Sequence, residues 1–371
     1  MERITRLETE RRGPGAGLRW LLLPWHAARV LSGEKSFRAN PLLGSELLNR
    51  RGLHIWRVRL AQRMAGWRRR RMEHLVSPRD REDFARDGFV QVPDFLEERD
   101  FQALVARLSA LSTEAHEMRE GKAVTRRIPI TTELLRQAPE LRAFLAHPRW
   151  RGLTRYVSSF DAAPLTFIQV ILSGASGEED PQTRLHMDTF HPTMKAWFFL
   201  HAVEMEEGPL TYVARSHIQG RRRQAWQRRR STEAARRREA GGAFRVTAAD
   251  LTRFGLERPR HFAVPGNTLV VADTCGFHAR GASARESIRV EIYASSRPNP
   301  FSPLLRPLLD RVPALEPWRV PAQYWVQDRL AALGLLRPVW RPVGKVPVFP
   351  PHGAGAGAEA GRAPVSMPAS S

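Results

Sequence analysis

A chain of 371 residues with 42% hydrophobic composition can bury a large core without covalent staples, and its single cysteine, Cys275, cannot form an internal disulfide. That excludes a disulfide-built secreted scaffold and fits a reducing compartment, so a cytoplasmic location is expected. Lysine and arginine outnumber aspartate and glutamate 59 to 38, a net charge of +21, which attracts phosphates, anionic headgroups or acidic sugars and speaks to partners rather than to fold.

Residues 1–78 read as a basic helical extension. The run Trp20-Leu21-Leu22-Leu23-Pro24-Trp25 is broken by proline and followed by His26 and Arg29. It lacks the small-residue cleavage site of a secretory signal, and no stretch reaches the roughly 20 apolar residues of a bilayer span. Leu18 to Leu23, His54 to Leu60 and Trp67 to Arg71 form basic amphipathic patterns. Two readings stand. Tryptophan beside arginine suits peripheral contact with an anionic membrane; alternatively the apolar faces dock on the main domain and the arginines form a solvated edge.

From residue 79 the pattern changes. Phe84 to Asp87 reads as a helix end, Gly88 as its stop, and Phe89-Val90-Gln91-Val92 as a strand. A second helix is expected from about Glu98 to Glu117, with Leu104, Leu108 and Leu111 near helical spacing. Residues 131–160 read as helical again, with Pro148 as a break.

A β region begins at Pro164. Leu165 to Leu172 is a strand, Gly174 to Gln182 a polar loop, and Leu185 to His191 a further strand, followed by Met194 to Leu200 and Gly208 to Val213. Arginine triplets at 221–223, 228–230 and 236–238 mark an inserted helix over 218–245 that ends at Gly241-Gly242. It reads either as a solvated charged helix or as a lid over an anionic substrate. Strands resume at Arg260 to Val264, Thr268 to Ala272 and Ser287 to Ala294. Short strands between turn signals predict a sandwich or barrel over 79–300. Residues 301–349 read as proline-punctuated helical pieces, and 350–371, rich in Gly, Ala, Pro and Ser, as a disordered tail.

The chemistry concentrates in His186-Met187-Asp188. Two residues apart on an extended strand, an imidazole and a carboxylate project to the same side. With His278 as a third ligand they make a 2-His-1-carboxylate face, which leaves open positions on ferrous iron for O2 and a co-substrate. Eleven residues later, Arg289 stands in the strand-like Ile288 to Tyr293. Its forked guanidinium could hold the distal carboxylate of 2-oxoglutarate.

Together with Asp87-Gly88-Phe89-Val90, Ala196-Trp197-Phe198-Phe199-Leu200, and Gly208-Pro209-Leu210 running into Ser216-His217, these residues stand in the order of a known family. The chain resembles the phytanoyl-CoA dioxygenase family of Fe(II) and 2-oxoglutarate oxygenases over roughly 80–300. The resemblance implies a double-stranded β-helix, or jelly roll, with flanking helices. It implies that His186, Asp188 and His278 bind iron, that Arg289 pairs with 2-oxoglutarate, and that Trp197 lies against the co-substrate, with Gln169 as a further polar contact. One position departs from the pattern: where well-studied members carry a small hydroxyl residue two places after the second histidine, this chain has Arg280. Halogenating relatives lack the carboxylate, so Asp188 favours hydroxylation or a related oxidation.

His191, His201 and His217 read as structural histidines, with His191 nearest the pocket, and Cys275 as a buried filler. Lys195 shares a strand face with Trp197 and points either into the site with it or out to solvent. The expectation is a 2-oxoglutarate-dependent dioxygenase that hydroxylates a small-molecule or lipid-linked anionic substrate. The competing reading is an inactive jelly roll that binds anionic membrane or nucleic acid through its basic segments, although no nucleic-acid motif supports the latter. The sequence leaves the oligomeric state open.

Overall fold

The structure, a computed structural model, describes residues 22–121, 123–174, 181–305, 318–336 and 338–351. The residues read as a tail from 352 onward, and the part of the first amphipathic run before Leu22, lie outside the described residues, as does most of the polar loop after Gly174.

The first strand, β1 (Phe89–Val92), follows the helix Pro78–Asp87. Ser77 caps that helix by accepting from Asp80 N, and Gly88, at φ +85°, ends it in the left-handed conformation. The expected helix from Glu98 stops at Ser109. Residues after it form β2 (Ser112–Glu120) and β3 (Ala123–Pro129). Glu, Ala, Met and Arg in β2 are helix formers, but pairing with β3 and with a strand from the C-terminal region overrides their local preference. Helices Thr132–Gln137, Pro139–Ala146 and Pro148–Ser158 then match the expectation, with Pro148 starting the last of them.

The remaining strands are β4 (Leu165–Ser173), β5 (Met194–Phe199), β6 (Leu210–Tyr212), β7 (Arg260–His261), β8 (Thr268–Asp273), β9 (His278–Arg280), β10 (Ser287–Ser296) and β11 (Arg341–Pro347). They form an eight-stranded sheet, β1-β8-β5-β10-β4-β3-β2-β11, and a three-stranded sheet, β7-β6-β9. All the pairings are antiparallel. This is the expected jelly roll with flanking helices. β11 departs from the expectation of helical pieces over 301–349: after the helix Arg319–Ala332 the chain returns to the large sheet and covers the edge of β2.

Alternation along the strands divides the core. Ala196 and Phe198 of β5 and Val290, Ile292 and Ala294 of β10 pack against Leu104, Leu141, Phe144 and Trp150 of the helical layer. Trp197, Phe199 and Tyr293 point the other way, toward Leu210, Tyr212 and Phe262. Helices therefore cover one face of the large sheet, and the small sheet closes over the other.

The N-terminal segment docks on this core. In the helix Leu53–Arg71, Val58 and Ala61 pack with Met187, Phe190 and Phe244. Arg57 donates to the carbonyls of Val30, Ser32 and Glu34, and Arg68 to those of Ser159, Pro300 and Ser302. These two arginines are buried, so their charges satisfy backbone acceptors instead of facing solvent. The inserted helix, Arg221–Arg236, buries Arg223, Trp226 and Gln227 on its inner side. Among the described residues, no helix is long and apolar enough to cross a membrane.

Candidate metal centre

His186 and His278 face each other across an antiparallel bridge. Each backbone N–H donates to the other's carbonyl at 3.0 Å, which places the two side chains on one side as direct neighbours. His278 opens β9. His186 lies in an isolated bridge between His278 and Arg245 and not in a regular strand as its sequence suggested. The chain there is still extended enough for the alternation to hold. Met187 is buried in the opposite direction, among Phe190 and Phe244, and Asp188, anchored by its N–H to Thr274 O at 3.0 Å, returns to the histidine side. One ligand atom from each of His186, Asp188 and His278 lies within 4.8 Å of the other two.

The proton positions on the imidazoles follow from their outer nitrogens. Nδ1 of His186 is 2.8 Å from Arg184 O, and Nδ1 of His278 is 3.1 Å from Gly276 O. A carbonyl only accepts, so both Nδ1 atoms carry the hydrogen and both Nε2 atoms present lone pairs. Those lone pairs point toward Asp188 Oδ1, at 3.7 Å from His186 and 3.6 Å from His278. Burial pushes the His278 pKa down to about 3 and lowers that of His186, so both rings are neutral at pH 7 and these contacts are not ion pairs. Burial alone would raise the Asp188 carboxyl. Lys195, together with His278, Arg297 and His186, outweighs that and holds it well below the ordinary carboxylate range. Lys195 Nζ sits 2.8 Å from Oδ2, the oxygen turned away from the histidines.

Three acceptor atoms thus converge with no hydrogen between them, and the buried Nε2 of His278 has no hydrogen-bond partner. Such an arrangement is repulsive unless a cation occupies the centre. The donor set of two imidazole nitrogens and one carboxylate oxygen fits a first-row divalent metal such as iron. The outer nitrogens bound to carbonyls supply the support that metal-ligating histidines require. His186 and Asp188 each keep 12% side-chain exposure, so the centre can be reached from outside.

The other expected site residues lie inside the jelly roll. Arg289, buried, donates from Nη1 to Gly208 O at 2.8 Å and holds Nε 3.1 Å from Glu291 Oε2. Gln169 donates from Nε2 to Glu291 Oε1 at 2.7 Å and accepts from Arg127 Nε at 3.1 Å. Trp197 is buried edge-on to Tyr293. Arg280, on the same side of β9 as His278, reaches Thr125 Oγ1 of β3 at 3.4 Å. Glu291 is completely buried and escaped the sequence reading. Its signal was present: it stands two residues after Arg289 on one strand, and therefore on the same inward face. Lys195 also lines the site, in line with its alternation with Trp197, and its direct partner is Asp188.

His201 accepts from Val290 N at 2.9 Å and His217 packs on Phe84, both structural. His191 is buried with Nδ1 donating to Pro192 O. It does not line the cavity beside Asp188. Cys275 is buried and free, with burial raising its thiol pKa, so it is an inert filler.

A cavity of about 510 Å³ opens from Asp188 and Lys195. Arg127, Arg297 and Arg319 contribute cationic walls, and Phe167, Tyr324 and Trp340 aromatic ones. No residue of 218–245 lines it, so the inserted helix does not act as its lid in this structure.

An antiparallel jelly roll with a two-histidine, one-carboxylate cluster whose Asp188 lines a cavity is a protein of the double-stranded β-helix class with a candidate mononuclear metal site. Residues 84–251 match the model of the phytanoyl-CoA dioxygenase (PhyH) family, and over this stretch the chain is similar to that family. The match includes His186 and Asp188; His278 lies beyond it, and the fold brings it back beside them. No curated protein matches the chain. Among solved structures, the chain is similar to the non-heme alpha-ketoglutarate-dependent epimerase SnoN from nogalamycin biosynthesis, at 18% identity and a TM-score of 0.35, covering 58% of this chain and 80% of that one. It is also similar to HygX from Streptomyces hygroscopicus with nickel and 2-oxoglutarate bound, at 15% identity and a TM-score of 0.38, covering 59% and 86%.

Proposed function

We propose that the protein is an Fe(II)/2-oxoglutarate-dependent dioxygenase that hydroxylates an unactivated C–H bond of an anionic small-molecule or lipid-linked substrate. One observation carries this reading: the Nε2 atoms of His186 and His278 and the Oδ1 atom of Asp188 converge on one point without a proton among them. Ferrous iron with 2-oxoglutarate, when bound there, supplies the reduction of O2 that converts C–H to C–OH, with succinate and CO2 as by-products.

The chain's own residues have separate tasks. Arg184 O and Gly276 O fix the imidazole tautomers. Lys195 keeps Asp188 ionised and directs Oδ1 toward the histidines. Arg289, buried near the co-substrate's expected path, offers its guanidinium to the far carboxylate, with Trp197 and Gln169 as neighbouring walls. Glu291 and Gly208 O restrain that guanidinium, which limits the orientations it must lose on binding. The cationic and aromatic lining of the cavity favours an anionic substrate with an apolar body. An inactive binding module has no use for three converging ligands, which is why the catalytic reading is preferred.

The test is anaerobic titration with ferrous iron and then 2-oxoglutarate, following the weak visible charge-transfer band. The band should form with the wild type, vanish in His186→Ala and Asp188→Ala, and weaken in Arg289→Ala. Folded, iron-loaded protein that gives no band on addition of 2-oxoglutarate would overturn the proposal.

A further inference from the structure

The helix Arg319–Ala332 has two faces in different surroundings. Val320, Tyr324 and Gln327, at helical spacing, are buried, the first two in the cluster that contains Trp340 and Phe167. On the other side Trp318 (63% exposed), Trp325 (61%) and Leu333 (71%) stand in solvent, with Val326, Leu330 and Leu335 beside them. At 3.6 residues per turn, Trp318, Trp325, Arg329 and Leu333 fall within about 100° of the circumference. A scattered exposed leucine needs no explanation, but a contiguous patch with two tryptophans marks a contact surface.

The charge around the patch indicates what covers it. Among the described residues of 318–347, the cations are Arg319, Arg329, Arg341 and Lys345, and the one acid, Asp328, is engaged by His116 at 3.1 Å. Arg329 lies 5.6 Å from the Trp325 ring centroid. Glu117 and Glu114 of β2 stand opposite Arg341 and Lys345, but a second copy placed across a two-fold axis on this helix face would still bring Arg329 against its own counterpart. An anionic bilayer surface supplies the opposite charge, and tryptophan, leucine and arginine on one helix face suit its interfacial layer.

We propose that the exposed face of Arg319–Ala332 docks on an anionic lipid surface and holds the cavity close to that surface. The same helix supplies Arg319, Gln323 and Tyr324 to the cavity that reaches Asp188, so docking leaves the cavity one helix thickness, about 10 Å, from the lipid. The attachment site differs from the basic N-terminal and inserted segments favoured by composition, whose inner faces pack on the core. The further consequence, that the substrate is a membrane-resident amphiphile with an anionic head, rests on the dioxygenase reading; the docking itself does not.

The experiment is flotation of the full chain with phosphatidylcholine vesicles, with and without phosphatidylglycerol, while tryptophan emission is recorded. Three proteins are compared: wild type, Trp325→Ser/Leu333→Ser, and Trp25→Ser/Trp56→Ser as an exposed-tryptophan control. Circular dichroism establishes that each is folded. The expected result is binding to anionic vesicles with a blue-shifted emission, reduced by salt. The first variant should bind at least about tenfold more weakly, and the control should bind as the wild type does. Equal binding by the first variant, loss in the control instead, or no binding to anionic vesicles overturns the proposal. So does a dimer in sedimentation equilibrium that the first variant dissociates, because a second copy would then cover the face. Each readout is independent of iron and 2-oxoglutarate, so failure of the charge-transfer test leaves this one standing.

Discussion

Lys195 grips Asp188 by the carboxylate oxygen that the histidines do not face, Nζ to Oδ2 at 2.8 Å. One oxygen is thereby committed to the protein and the other is left for the metal. The pair joins β5 of the large sheet to the irregular segment that carries two of the three ligands. Supporting partners of a ligating carboxylate typically contribute 10- to 100-fold in metal affinity. Lys195→Met, which keeps the aliphatic stem and removes the charge, should weaken ferrous binding by about that factor in an anaerobic metal titration. Unchanged affinity would mean that the Asp188 backbone contact to Thr274 alone sets the carboxylate.

Glu291 and Arg289 balance one another inside the jelly roll, where neither can be hydrated. Removing one member leaves a buried charge without its counterpart, which costs about 3–5 kcal/mol. Glu291→Met and Arg289→Met should each show a loss of this size in urea unfolding. The double variant, with no charge left to strand, should lose less than the sum of the two. Strict additivity would show that the pair is not coupled.

Acid should destabilise the fold through two histidines that are not among the candidate metal ligands. Burial, then Arg57, lowers His54 to about 3, and burial lowers His217 to about 4. In the unfolded chain both titrate near 6.5. The unfolded state therefore takes up protons first, and the stabilisation present above pH 6.5 is lost as pH falls, through about 4 for His217 and about 3 for His54. Each group contributes a slope of about 1.4 kcal/mol per pH unit inside its window. Urea midpoints of the metal-free protein at pH 7, 6 and 5 should fall accordingly, and His217→Phe should reduce the slope. A slope unaffected by that change would exclude His217 as a contributor.

Gly88 ends its helix at φ +85°, and a Cβ there would run into His217 Nδ1 and lie 2.7 Å from Tyr212 Oη. Gly88→Ala meets both a disfavoured backbone conformation and the His217 and Tyr212 side chains, so a loss above about 2 kcal/mol is expected in thermal or urea unfolding. A neutral effect would mean that the turn can relax away from His217.

The ligand pair was legible in the sequence because alternation survives outside regular strands: Met187 turns into the core and its two neighbours turn out together. His278 was legible as a strand-associated histidine, but its meeting with His186 depends on a backbone bridge between distant segments, which no local pattern encodes. The helix expected to run to Glu117 was misjudged because the residues of β2 favour helix locally and are overruled by two partner strands. β11 was hidden by Pro342, Gly344 and Pro347, which read as breaks and are accommodated by a shift in register between Pro342 and Gly344. Arg57 and Arg68 counted toward a basic surface in the composition, yet they are spent on buried carbonyls. Net charge therefore overstates what the surface presents.

The late strand β11 also sets a timetable. Arg341 pairs with Glu117 and Pro347 with Ser112, so the edge of β2 stays bare on the ribosome until residues 341–347 have been synthesised. An open edge is a template for pairing with neighbouring chains, and contacts between distant segments form slowly. Nascent chains released before residue 341 would keep that edge exposed, so termination ahead of β11 should give an aggregation-prone product.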